Sequence, residues 1–186
     1  MEQWDVHIIS ISFGFEEENQ LIDAAVERAI GKGKLVFAAA SNNGGLYGRS
    51  RPARQDGVMC IHACDGLCNI GDMNPSPLDY KSNFATLGVA VPSRWKNKDV
   101  WKTGTSFATP IAAGFAADIL EFANKKCNLT PERRKILHKY RGMEAVFRKM
   151  SEKRKEFNIV HPKYLWDYDM NEHEVARVIE KIVQGV

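Results

Sequence analysis

Two segments of the sequence end on polar side chains that suit catalysis. From Gly104 to Ser106, a turn of small residues places the Ser106 hydroxyl before an alanine-rich stretch that predicts a buried helix. From Ala38 to Asn42, an apolar strand ends on a side-chain amide. A serine hydroxyl can attack a carbonyl carbon, and an amide N–H can stabilise the oxyanion that forms. Together the segments indicate acyl transfer.

The elements that must position these groups are a parallel sheet and a helix. Ligands of α/β sheets collect at the carboxyl ends of the strands, where Asn42 is expected to lie. A helix N-terminus offers unpaired N–H groups and a partial positive charge, so Ser106 would lie beside donors for an oxyanion. Each feature alone is more typical of a cap or a turn. Only their combination indicates a site.

The N-terminal half of the chain alternates strands with a helix. Residues 6–13 and 35–40 are apolar runs, and residues 16–30 between them carry an apolar stripe at helical spacing. This order predicts a right-handed β-α-β unit and an α/β fold. Further segments are predicted as strands over 58–63 and 87–91, as loops over 42–57 and 69–83, and as a buried helix over 106–124.

The C-terminal third changes to charged, amphipathic helices. Thr130 and Asn171 are good N-caps, and Gly142 predicts a break or kink between two helices. The sequence therefore predicts two regions. Residues 1–125 form the α/β domain, and residues 126–186 form a helical C-terminal extension packed on it.

Composition argues against several classes of protein. The chain is 44% hydrophobic and 26% charged, as in ordinary globular domains. Its net charge of +3 is too small an excess to indicate nucleic acid as a partner. No apolar run approaches the roughly 20 residues that a membrane span needs, and no signal peptide is visible. The sequence therefore predicts no nucleic-acid partner and no membrane.

The four cysteines are too few for a disulfide-rich scaffold. Cys60, Cys64 and Cys68 are spaced by four residues around His62, a pattern that also fits zinc ligands. Two of them lie in or beside an apolar run and no C-x-x-C pair occurs, which favours buried reduced thiols. Reduced thiols favour an intracellular location, although the compartment is otherwise open. We expect no metal and no other cofactor.

Three segments resemble the subtilisin family of serine proteases. They are Val6 to Gly14 (VHIISISFG), Leu35 to Asn42 (LVFAAASN) and Gly104 to Gly114 (GTSFATPIAAG). The last is close to the family signature Gly-Thr-Ser-(Met/Phe)-Ala-(Ser/Thr)-Pro. The oxyanion-hole asparagine and the nucleophile of subtilisin are about 66 residues apart. Here Asn42 and Ser106 are 64 residues apart.

The resemblance covers about residues 6–125 and implies a three-layer α/β/α fold with a mostly parallel sheet, and serine endopeptidase activity. It implies Ser106 as the nucleophile and Asn42 as the oxyanion donor. It also implies a groove that binds an extended polypeptide substrate, lined by Ser12, Phe13, Gly14, Ala39, Ala40 and Ser41. The family commonly has glycine in the position of Ser41, so a side chain there is expected to narrow the first specificity pocket.

The other two members of a catalytic triad are not visible. The family order is Asp, His, Ser, and in subtilisin the histidine precedes the serine by about 157 residues. Only 105 residues precede Ser106, and the sequence has neither a His-Gly-Thr-His nor an Asp-(Thr/Ser)-Gly motif. None of the five histidines is expected to act as the catalytic base: His7, His62, His138, His161 and His173. We expect that the N-terminal part of the domain is missing, that this chain alone is inactive, and that an upstream protease segment or another protein is a partner.

Two alternatives stay open. A non-catalytic pseudoprotease would bind extended peptides or a partner protein through the same groove. A nucleotide-binding α/β domain predicts a glycine-rich turn directly after the first strand. Gly14 is followed instead by Phe15 and three glutamates at 16–18, whose charges would repel phosphate.

Overall fold

A computed structural model describes residues 5–167 and 169–186. In chain order the elements are β1 (Ile8–Ile11), α1 (Gln20–Gly31), β2 (Leu35–Ala39), β3 (Val58–Cys64), β4 (Phe84–Leu87), β5 (Val91–Trp95), β6 (Lys98–Lys102), α2 (Thr105–Lys126), α3 (Pro131–Leu137), α4 (Tyr140–Lys149), β7 (Ser151–Arg154), β8 (Phe157–Val160), a 3-10 turn (Pro162–Tyr164) and α5 (Glu172–Gln184). No helix among these residues is long and apolar enough to cross a membrane.

The six strands of the main sheet have the order β1-β2-β3-β4-β8-β7. Strands β1 to β4 and β8 are parallel, and β7 is antiparallel to β8. Strands β5 and β6 form a separate antiparallel hairpin. Within the described residues β1 is therefore an edge strand, and one side of its backbone is unpaired.

Helices cover both faces of the sheet, which gives three layers. Alternate residues of a strand point to opposite faces. Val36 and Ala38 of β2 accordingly pack with Val26 of α1, whereas Leu35 and Phe37 face the other helices. Strands β2 and β3 are buried along their whole length, as their continuous apolar sequences predict for inner parallel strands. The expected α/β architecture is confirmed.

Helix α2 is the long helix on the second face. Ala108, Ala112, Ala116 and Ile119 are fully buried at a spacing of three to four residues, so one side of the helix lies on the sheet. The small side chains let the helix approach the strands closely. This packing fixes where the N-terminus of α2 lies relative to the strand ends.

The C-terminal region differs from the prediction in one respect. Besides helices, residues 126–186 contain the hairpin of β7 and β8, and β8 extends the main sheet by pairing with β4. The sequence of β7 is polar throughout, so its strand character depends on pairing rather than on an apolar pattern. Helices α4 and α5 pack into the same core as α2.

The predicted helix break at Gly142 is wrong. Helix α3 ends at Leu137 and α4 begins at Tyr140, so the break precedes the glycine. Gly142 lies inside α4, at a point where a Cβ atom would be 2.2 Å from the carbonyl oxygen of Ile136. Glycine is required there because the backbone of the preceding segment passes against α4.

The predicted strand over 87–91 is also wrong. Strands lie on either side of this segment, with β4 ending at Leu87 and β5 beginning at Val91. Ala90 has a φ of 53°, in the left-handed region, which is incompatible with a continuous strand. The chain instead bends at Val89 and Ala90, and the Gly88 carbonyl accepts a hydrogen bond from the N–H of Gly104 at 2.8 Å.

Candidate active site

Ser106 lies in the first turn of α2, half-buried at the carboxyl end of the sheet. Gly104 precedes the helix with a φ of 152°, a conformation that favours glycine. The Ser106 Oγ donates to the carbonyl oxygen of Ser12 at 2.9 Å, and the Ser12 Oγ donates to the carbonyl oxygen of Ser106 at 2.9 Å. The end of β1 is thus bonded directly to the start of α2.

Asn42 joins the end of β2 to the same helix terminus. Its Oδ1 accepts the N–H of Thr105 at 2.8 Å and lies 3.1 Å from the Thr105 Oγ1. Because Gly104 has no side chain to cap α2, Asn42 supplies the cap from a distant part of the sequence. Among the described residues the Asn42 Nδ2 has no acceptor, so this N–H group is free to donate.

Ser41 adopts an unusual backbone conformation for a residue with a side chain. Its φ is 150°, which explains in physical terms why glycine suits this position. The Ser41 Oγ accepts the N–H of Asn43 at 3.2 Å, so the side chain is tied to the turn that follows β2. This turn presents Asn42 to α2.

A cleft of about 260 Å³ opens beside Ser106. Of the predicted site residues, it is lined by Ser106, Asn42, Phe13, Gly14, Ala39 and Ser41. Two predicted residues lie outside it. Ser12 is exposed and bonded to Ser106 but does not line the cleft, and Ala40 is fully buried, with its carbonyl accepting the N–H of Ser50 at 2.7 Å.

Sequence reasoning missed five residues that line the cleft: Phe15, Glu16, Asn43, Ser50 and Thr105. Ser50 arrives from the long loop after β2, and its hydroxyl contacts the carbonyl oxygens of Ala39 and Ala40. A Cβ on Gly14 would lie 2.2 Å from the Ser50 Oγ, so the glycine makes room for this loop. No local sequence signal marks Ser50, because its position depends on where the loop returns.

None of the described histidines lies in the cleft. His62 is fully buried in β3, where its Nδ1 donates to the carbonyl oxygen of Phe84 at 3.0 Å. Burial and the nearby Arg49 lower the pKa of His62 to about 3. The ring of His7 packs edge-on against His138, with 4.9 Å between centroids.

The remaining histidines have structural positions. The Nδ1 of His161 accepts the N–H of Lys163 at 3.2 Å, which caps the 3-10 turn. His173 lies in the first turn of α5. The Ser106 hydroxyl thus has no histidine partner among the described residues. It donates instead to the Ser12 carbonyl, which cannot take up its proton.

The cysteines are unpaired, and three of them, Cys60, Cys64 and Cys127, are buried. Burial raises the pKa of Cys60 to about 11, so its thiol stays protonated. Cys68 is half-buried. Across the described ranges, no three His, Cys, Asp or Glu side chains are grouped so as to hold a metal ion.

The fold and the cleft define a class of protein: a parallel α/β sheet with a serine at a helix N-terminus, facing an unpaired amide donor at a strand end. Comparison with known proteins identifies the family. The model of the subtilase family matches residues 1–159, so the chain belongs to the subtilase family. The match continues past the recognised motifs, through β7 and into β8.

Curated relatives match a shorter part of the chain. It is 37% identical over 114 residues to the thermostable alkaline protease of Halalkalibacterium halodurans, covering 61% of this chain and 31% of that protein. It is 32% identical over 117 residues to subtilisin DY of Bacillus licheniformis, covering 61% and 42%. The chain thus spans between about a third and two-fifths of the length of these relatives.

Solved structures share the fold over nearly the whole chain. The patellamide maturation protease PatA superposes with a TM-score of 0.70 at 21% identity, covering 95% of this chain and 64% of that one. The prenylagaramide maturation protease PagA gives a TM-score of 0.65 at 21% identity, covering 97% and 62%. At this identity the likeness concerns the fold alone.

Proposed function

We propose that this chain carries the nucleophile and oxyanion hole of a subtilisin-like serine endopeptidase. The observation that supports it is the convergence of three groups on one cleft: the Ser106 hydroxyl, the unpaired Nδ2 of Asn42 and the N-terminus of α2. Ser106 would attack the carbonyl carbon of a peptide bond and form an acyl-enzyme. Asn42 Nδ2 and the helix N-terminus would hold the oxyanion.

The substrate would be an extended polypeptide. One wall of the groove would be formed by Phe13 and Gly14 after β1, and the other by Ala39 and Ser41 at the end of β2. An extended substrate can bind to these walls by main-chain hydrogen bonds, as an added strand does. The half-buried Ser106 lies between the walls, where a substrate carbonyl would arrive.

The base would come from outside the described residues. The serine hydroxyl is protonated at neutral pH and needs a base to become a nucleophile. Loss of the base in subtilisin lowers the rate by about 10⁶-fold. We therefore propose that a further protease segment, or another chain, completes the site, and that this chain alone hydrolyses peptides very slowly. The unpaired side of β1 offers backbone groups to which such a segment could pair.

Chemical rescue tests the proposal without knowledge of that segment. Imidazole added to the buffer can act as a diffusible base for Ser106. We expect a fluorophosphonate probe to label the purified chain faster as imidazole increases, with the label on Ser106 by mass spectrometry. Asn42→Ala should slow labelling by about 10²-fold, because one oxyanion donor is lost. Ser93→Ala, in the separate hairpin, is the matched control and should label like the parent chain.

The bond between Ser106 Oγ and the Ser12 carbonyl favours a second candidate, a pseudoprotease that binds peptides without cleaving them. It predicts no labelling of Ser106 at any imidazole concentration, together with measurable binding of extended peptides. Labelling that persists in Ser106→Ala would contradict the assignment of the nucleophile.

A further inference from the structure

The cleft beside Ser106 contains one ionisable side chain, that of Glu16. The other lining residues are apolar or neutral polar groups and glycine. Glu16 follows the end of β1, and its Oε1 accepts a hydrogen bond from the Nδ2 of Asn43 at 3.1 Å. Since Asn43 is next to Asn42, this bond holds the carboxylate near the oxyanion donor.

The basic side chain of Arg51, which is bonded to acids near Glu16 in sequence, forms no ion pair with Glu16 itself. The Arg51 guanidinium donates to Asp23 at 2.7 Å and to Glu18 at 3.4 Å. Arg51 is bound to the backbone of Phe15 as well, so it is held in place beside these two acids. The cleft consequently presents a negative charge with no cationic partner among the described residues.

The shape of the cleft suits a long side chain. Gly14 and Ala39 have no bulky side chain to fill the cleft, and its volume is about 260 Å³. A residue whose carbonyl lies at Ser106 would direct its side chain between these walls towards Glu16. Methylene groups would contact Phe13 and Phe15, and a terminal cation would reach the carboxylate.

We propose that Glu16 makes this cleft select a lysine or arginine side chain at the substrate residue whose carbonyl faces Ser106. The inference deepens the proposed function and rests on it. Glu16 is then a specificity-determining residue. The alternative role is purely structural, with the Glu16–Asn43 bond joining the turn after β1 to the turn after β2.

Product-like peptides test the proposal without requiring hydrolysis. Fluorescein-labelled peptides Ala-Ala-Pro-X with a free carboxylate would place that carboxylate at the Asn42 amide, and X in the cleft. With X as lysine or as norleucine, which has a similar aliphatic chain without the charge, fluorescence anisotropy gives the two affinities. We expect lysine to bind about tenfold more tightly, and less so at high salt.

Two variants that each remove one negative charge separate the effect of Glu16 from that of a neighbouring acid. Glu16→Gln keeps an oxygen for the Asn43 bond and should bring the lysine-to-norleucine ratio close to one. Glu17→Gln, at the neighbouring exposed acid outside the cleft lining, should leave the ratio unchanged. Circular dichroism and thermal unfolding check that both variants fold.

The possible failures are distinguishable. Equal binding of the two peptides to the parent chain overturns the selectivity but leaves the peptide groove in place. If both variants lose the preference for lysine equally, the role of Glu16 is overturned. The preference would then come from the combined negative charge of the neighbouring glutamates. No binding of either peptide, together with no imidazole-dependent labelling of Ser106, overturns the proposed function itself and this inference with it.

Discussion

The hydroxyls of Ser12 and Ser106 each donate to the backbone carbonyl of the other residue, at 2.9 Å in both directions. The bond from the Ser12 hydroxyl to the Ser106 carbonyl has its cause one turn further along α2. In a regular helix the Ser106 carbonyl would accept the N–H of residue 110, but Pro110 has no N–H. The Ser12 hydroxyl supplies the missing donor. The proline of the signature segment therefore couples the start of α2 to the end of β1.

This coupling predicts a non-additive pair of substitutions. Ser12→Ala should lower the free energy of unfolding by about 1 kcal/mol, because the Ser106 carbonyl loses its protein donor at a partly exposed site. In a Pro110→Ala background the cost should be smaller, since the substituted residue provides the backbone N–H. Urea unfolding of the four proteins gives the coupling energy. Equal costs in both backgrounds would contradict the explanation.

Gly142 and Gly114, each in the interior of a helix, should respond in opposite directions to alanine. Gly142→Ala should destabilise the protein by about 2 kcal/mol, because a Cβ atom would lie 2.2 Å from the Ile136 carbonyl oxygen. Gly114, within α2, has no atom within 4 Å of the corresponding Cβ position. Gly114→Ala is the matched control and should stabilise by about 0.5–1 kcal/mol through helix propensity. Thermal unfolding distinguishes the signs, and a stable Gly142→Ala variant would refute the close approach.

The elements that the sequence predicts correctly are those with strong local signals. The apolar runs at Leu35 and Val58 become inner strands, and Thr130 and Asn171 cap helices as predicted, the latter in a capping box. The meeting of Asn42 with the start of α2 follows from parallel strands that end at one edge of the sheet.

Features fixed by distant contacts escape such reasoning. Strand β7 is polar, and it becomes a strand by pairing with β8, which in turn pairs with β4. The sequence alone predicts that Gly142 breaks a helix. The glycine is instead required by the Ile136 backbone, which lies against α4. Ser50 belongs to the cleft only because its loop returns over Gly14.

A buried arginine makes Asn83 important for stability. Arg49 is only 4% exposed, and no acidic side chain forms an ion pair with it in the described part of the chain. Its guanidinium donates to the Asn83 Oδ1. The Asn83 Nδ2 donates to the carbonyl oxygens of Leu78 at 3.1 Å and Glu156 at 3.0 Å, so the same side chain holds a loop and the turn of the β7–β8 hairpin.

Asn83→Ala should therefore lower the free energy of unfolding by about 3 kcal/mol, because it leaves a buried cation without its acceptor. Asn83→Asp should cost less than Asn83→Ala, since a carboxylate still accepts from Arg49, but it should remain below the parent because it cannot donate to the Leu78 and Glu156 carbonyls. Asn69→Ala, at an exposed asparagine bonded to Asp65, is the control and should cost under about 1 kcal/mol. Denaturant unfolding measures all three. Similar losses at both asparagines would argue against a special role for Arg49.

His62 should make the stability of the protein fall in acid. Burial, and secondarily Arg49, lower its folded-state pKa to about 3, whereas in the unfolded chain the pKa is about 6.5. Between these values the unfolded chain binds a proton that the folded chain does not, so stability is full above pH 6.5 and decreases as the pH falls towards 3. From pH 7 to pH 5 this group should lower the free energy of unfolding by about 2 kcal/mol.

Two measurements check the His62 prediction. Urea unfolding at several pH values should show a slope in the parent chain that is reduced by about one proton in His62→Gln, whatever the absolute stability of that variant. Nitrogen chemical shifts of the folded protein should show a neutral ring protonated at Nδ1 down to pH 5, because Nδ1 donates to the Phe84 carbonyl. A ring that becomes charged near pH 6 in the folded protein, or an unchanged slope in His62→Gln, would contradict the assigned burial and tautomer.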